Sequence, residues 1–179
     1  MRYVVNWPAR LQEMATFVGL TEEDRHLIQA SAPIIMENAQ ALTDAVYDHF
    51  LKFPQARKFF VTESGEVDEE RLARRKHTLI RWLRDTAACS LGEDFAVHLL
   101  AMGISHGYPP THRAHLGPVP SRYMIGTMSF AQTAIADLLR RKMADTDLAL
   151  RTSIAWNKML MVELDVLLAG YVTEPTTPP

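Results

Sequence analysis

Three of the chain's seven histidines, His106, His112 and His115, fall within GISHGYPPTHRAHLGPVPSRYM, residues 103–124, together with four of its ten prolines. A neutral imidazole can put one ring nitrogen on a metal while a second acceptor holds the other ring N–H. A structural zinc site asks for three or four ligands at helix or turn spacing, usually with cysteine among them. The only cysteine is Cys89, and the first carboxylate after His115 is Asp137. The triplet therefore does not read as a zinc centre, and the question becomes which single histidine faces an apolar interior.

Helix register separates the three. At about 100° per residue, Phe95, Leu99, Met102 and His106 fall in one narrow stripe, so His106 points where core residues point. Two readings stand for it: a half-buried ring bonded to a nearby carbonyl, or a ligand whose Nε2 faces an apolar cavity. His98 lies on the flank of that stripe. His112 and His115 follow Pro109-Pro110 in a loop, where periodicity fixes no orientation. Upstream, Ile35, Ala39, Leu42, Val46, Phe50 and Phe53 share a face, with Tyr47 at its edge near Met36 and Thr43. Tyr47 reads either as a core-boundary tyrosine or as a hydroxyl donor projecting into an apolar pocket.

The elements that must position these residues are helices. Outside YVV at 3–5 there is no alternating strand run, while apolar residues recur at three- and four-residue spacing almost everywhere. Thr21 before Glu22, Glu23 and Asp24 reads as a helix start, and Pro33 as the first position of a long helix ending near Phe53-Pro54. A short helix is expected over PQARKFF. The segment DEERLARRKHTLIRWLRDTAAC is acidic early and basic late, with a stripe of Leu72, Leu79, Ile80, Leu83 and Ala87. The helix FAVHLLAMGISH follows Gly92 and stops at Pro109-Pro110. Two long helices, from Pro120-Ser121 to about Met143 and from Asp145 or Thr146 to about Val172, are expected to pack antiparallel, and their apolar faces would suit a dimer interface.

The fold class is all-α, in one domain over 1–172, with 173–179 (TEPTTPP) as a polar, Pro/Thr-rich tail. A net charge of -2, with 22% charged residues, gives no nucleic-acid or polybasic membrane signal. No apolar run reaches the roughly 18 to 20 residues of a membrane span, and the N-terminus lacks a signal-peptide core. A single cysteine suits a reducing compartment, so a cytoplasmic location is expected.

The order LTDAVYDHFLKFPQARKFF, a helix with Trp82, GISH, then VPSRYMIGTMSF resembles the protoglobin and globin-coupled-sensor family, over about residues 20–172. Val46-Tyr47-Asp48 matches the family's distal-tyrosine sequence. Gly103-Ile104-Ser105-His106 and Pro120-Ser121-Arg122-Tyr123 match its proximal-histidine segment and the following helix start. Here a proline-rich insertion separates the two, and counting back from Tyr123 points to His112 instead. His106 is preferred because it lies on a helix in register with Phe95, Leu99 and Met102.

The resemblance implies a globin-like fold with an N-terminal extra helix and long C-terminal helices. It also implies haem b as cofactor, with His106 (or His112) as the iron ligand. Tyr47 would be the donor to a bound gas (O2, CO or NO), and Phe50, Leu79, Ile80, Leu83, Met102 and Tyr123 would line the pocket. Arg122, Lys76 and Arg113 are candidates for the propionates. The implied role is gas binding or sensing rather than enzymatic catalysis, as a homodimer, in a stand-alone protein or one joined to a signalling output domain. The alternative is a haemless globin-fold signalling or scaffold module.

Overall fold

The computed structural model describes residues 5–109 and 111–172, without the side chains of His112 and Arg113; the expected tail at 173–179 lies outside the described residues. Among these residues there are eight α-helices and no strand beyond one isolated bridge between Val61 and Val67.

The chain enters through α1 (Trp7–Phe17), where the Asn6 side chain accepts from Ala9 N at 3.0 Å and Pro8 occupies the first turn. Helix α2 (Glu22–Glu37) starts at the expected place. Thr21 and Asp24 form a reciprocal capping box, and three acids sit on the positive end of the dipole.

The reading of Pro33 as a helix start is corrected. Pro33 lies inside α2, and the break falls at Asn38, before α3 (Ala39–Leu51). Ile28 and Ile35, on either side of Pro33, are wholly buried, so packing of the apolar face outweighs the lost backbone hydrogen bond. Asn38 stops the helix by turning its Nδ2 back onto the Ile34 carbonyl at 2.8 Å. Ile35 and Tyr47 consequently belong to different helices.

Helix α4 (Pro54–Arg57) and a 3-10 turn over Lys58–Phe60 take up PQARKFF. Gly65, at φ 84°, turns the next loop, and Asp68 caps α5 (Glu69–Ala87) by accepting from Arg71 N at 2.9 Å. Then come α6 (Glu93–Gly107), a 3-10 helix over Thr111–Leu116, α7 (Ser121–Lys142) and α8 (Thr146–Ala169).

Helix α8 is the axis of the fold. It packs on α1, α2, α6 and α7 and buries ten of its residues, among them Trp156, Met159, Leu160 and Val166. Polar ties fasten neighbours to it. Arg10 on α1 holds Asp165 through two hydrogen bonds of 2.6 and 2.8 Å, Lys158 reaches Asp24 at 2.8 Å, and Trp156 Nε1 donates to Ser31 Oγ at 2.9 Å. Helix α3 packs instead on α5 and α7, while α6 packs on α8 and α1. A cavity opens between these two groups. No described helix is long and apolar enough to cross a membrane.

Candidate functional site

The cavity measures about 360 Å³, within the range of small-molecule sites, and its walls are mostly aromatic and aliphatic. Helix α3 contributes Val46, Tyr47, His49 and Phe50, and α5 contributes Arg75, Thr78, Leu79 and Trp82. Met102, Ser105 and His106 come from α6, and Tyr123, Met124 and Met128 are among those from α7.

His106 sits in the last turn of α6, half-buried, with Nδ1 2.6 Å from the Met102 carbonyl. That carbonyl can only accept, so it calls for the proton on Nδ1 and leaves the lone pair on Nε2, the tautomer that ligates a metal. The turn is held from outside as well, since Val119 N donates to the His106 carbonyl at 2.9 Å. Beneath it, a Cβ on Gly103 would run into the Leu167 carbonyl, so only glycine lets α6 cross α8 this closely one turn before the histidine.

Tyr47 is buried at 8% exposure. Phe50 and Phe60 meet its ring edge to face, at centroid distances of 5.7 and 5.4 Å. Burial pushes its hydroxyl up to about 12, against the opposing charge of Arg75, so it stays a protonated donor. Among the described residues no protein acceptor holds that hydroxyl.

Of the residues singled out from sequence, Tyr47, Phe50, Leu79, Met102, His106 and Tyr123 share this one cavity. Two do not. Leu83 lines a small apolar void beside it, with Leu42, Thr43 and Trp82, and Ile80 packs against the core instead. Both lie off the cavity because α5 presents it with the face of Arg75, Thr78, Leu79 and Trp82. The His112 side chain lies outside the described residues, and His115 is exposed on the 3-10 helix. Lys76 is paired with Asp44 at 2.7 Å, Arg122 stacks on Tyr123, and Arg113 falls outside the described side chains.

The family model for protoglobin matches residues 8–176. The chain belongs to the protoglobin family. Solved structures similar to this protoglobin include the globin domain of a Geobacter sulfurreducens globin-coupled sensor, at a TM-score of 0.70 and 22% identity over 89% of this chain and 96% of that one. The globin domain of Escherichia coli DosC is also similar in both its ferric and ferrous forms, at 0.65 and 14% identity over 90% and 99%. These likenesses establish the globin fold of sensor domains. No curated protein matches.

Sequence reasoning missed two parts of the protoglobin cavity. The proline-rich insertion, read as a spacer, supplies wall residues Pro109, Leu116, Gly117 and Val119. Lys58 pins it by donating to the Leu116 carbonyl at 2.9 Å, and Gly117, at φ 70°, turns the chain back. The second is Arg75, half-buried on the wall and with no ion pair among the described residues. It was hidden in the basic run RLARRK, where only the three-dimensional face distinguishes it from Arg74, which pairs with Glu70 at the surface.

Proposed function

We propose that the cavity holds haem b, with His106 Nε2 as the iron ligand and the Tyr47 hydroxyl as donor to a diatomic gas. The observation that carries this reading is the pairing, on one cavity, of a histidine whose Nδ1 is fixed on the Met102 carbonyl and a buried, neutral phenol. Haem supplies an iron centre at which O2, CO or NO binds reversibly.

The residues fit the group. Phe50, Leu79, Met102, Trp82 and Met128 offer an apolar envelope for a planar macrocycle. Arg75 offers a charge-assisted bond to a propionate. The phenol favours a ligand that gathers negative charge, such as O2, over one that does not, such as CO. The role is gas sensing or gas binding rather than catalysis, in the cytoplasm. Homodimerisation would use the last two helices, which leave Ile125, Leu150 and Ile154 exposed, and any signalling output would lie in a partner or a joined domain.

The test is an absorption spectrum of protein incubated with haemin and freed of excess, recorded oxidised, reduced and under CO. A Soret band that moves with each state is expected. Protein that elutes colourless would instead make the fold a haemless signalling module.

A further inference from the structure

Trp82 faces two ways. Its side chain lines the cavity and the small void beside it, yet its Nε1–H donates to Glu163 Oε2 on α8, 2.6 Å away. Glu163 is wholly buried, and its other oxygen, Oε1, has no hydrogen bond among the described residues. Burial lifts its carboxyl to about 8, against the pull of Thr86 and Trp82 and with the push of Asp85. A buried acid satisfied at one oxygen is a poor choice for stability, since an apolar side chain of similar size would fill the site without the desolvation cost.

The other hydroxyls of the wall give the reason for it. Thr78, Ser105 and Thr127 each donate to a carbonyl of their own helix, at 3.0, 2.8 and 2.6 Å. Their protons, like that of the Trp82 indole, are engaged with the protein, whereas the Tyr47 hydroxyl is not.

We propose that Glu163 is a specificity-determining positioning residue, which holds the Trp82 N–H away from the cavity so that a diatomic ligand meets the Tyr47 donor and an apolar indole wall. This rests on the haem reading above. Removing the acceptor leaves the indole N–H an orphan, and the gas ligand then offers it a partner. A second donor lowers the C–O stretching frequency of a CO complex and holds O2 more firmly than CO.

The experiment compares wild type, Glu163→Gln, Glu163→Met, Trp82→Phe and the double variant Trp82→Phe/Glu163→Met, each loaded with haem. Infrared spectra of the CO complexes and dissociation rates of O2 and CO are recorded. Glu163→Gln keeps an acceptor and stays close to wild type. Glu163→Met moves the C–O stretch down and slows O2 loss relative to CO by roughly three- to tenfold, the range of one neutral hydrogen bond. In the Trp82→Phe background, Glu163→Met adds no further change. In haem-free protein, nuclear magnetic resonance should show the indole proton absent from Trp82→Phe to be exchange-protected in wild type and Glu163→Gln and exposed in Glu163→Met. Glu163→Leu carries the same expectations should Glu163→Met fail to load haem. An unmoved stretch in Glu163→Met, or a shift that persists without the indole N–H, overturns the proposal while a Soret band is present. Absence of a Soret band in every variant overturns the haem reading and this proposal together.

Discussion

Tyr47 and Glu163 show how one variable, burial, keeps the proton on two different side chains. The Tyr47 phenol is held near 12, so its proton is present throughout the neutral range. Tyr47→Phe should accelerate O2 dissociation by roughly 10- to 100-fold and CO dissociation much less, because the hydrogen bond matters most to a ligand that carries charge. Stopped-flow ligand replacement measures both. In wild type the O2 rate should stay flat up to about pH 10, since the donor loses its proton only near 12. Glu163 titrates in reach of ordinary buffers. Its folded value, about 8, exceeds the 4.5 of an exposed glutamate, so the native state keeps a proton that the unfolded chain gives up. Stability from this group is complete below the unfolded value and is lost as pH rises towards the folded one. Denaturant titrations at about pH 5 and pH 8 should therefore show wild type losing stability relative to Glu163→Gln, by on the order of 1 kcal/mol or more. A constant gap between the two proteins would contradict this.

Between elements, α6 crosses close to the C-terminal end of α8, where both sides of the contact are glycine. A Cβ on Gly103 would meet the Leu167 carbonyl, and one on Gly170 would meet the Gly103 and Ile104 backbone, neither of which is a flexible side-chain end. Gly103→Ala and Gly170→Ala should each destabilise the haem-free protein by roughly 1–3 kcal/mol, the usual cost of overpacking. Gly126→Ala, where nothing lies within 4 Å of the added carbon, should be neutral or gain up to about 1 kcal/mol of helix propensity. Equal losses at all three positions would show that the crossing is not the tight point. These elements also mark how far sequence reasoning reaches. Thr21, Gly92 and Pro120 announced helix starts because capping and dipole effects are local. Pro33 misled because its local cost is outweighed by burial of Ile28 and Ile35, a contribution made by other helices. The walls of the cavity were legible where one helix stripe supplied them, as with Met102 and His106. They were not legible where a loop folded back, as at Leu116 and Val119, or where a basic run turned one cation inward, as at Arg75. Glu163 gave no signal at all, for its indole partner lies on α5, far away in sequence.

At the scale of the whole molecule, the all-α globin fold followed from periodicity and the order of motifs, and the protoglobin match over residues 8–176 agrees with it. Helix α8 gathers the rest of the chain: it binds α1 through Asp165 and α2 through Lys158, touches the cavity through Leu167, and holds the indole wall through Glu163. One helix therefore contacts both the support of His106 and the wall that carries Trp82. The account stands on His106 as the iron ligand, and the most direct measurement is the absorption spectrum of haem-loaded His106→Gly, with and without added imidazole, beside His112→Ala. The prediction is that His106→Gly loses the wild-type Soret and CO-bound spectra and regains them with imidazole, while His112→Ala keeps them. Retention of the wild-type spectra in His106→Gly without imidazole, with their loss in His112→Ala, would contradict it.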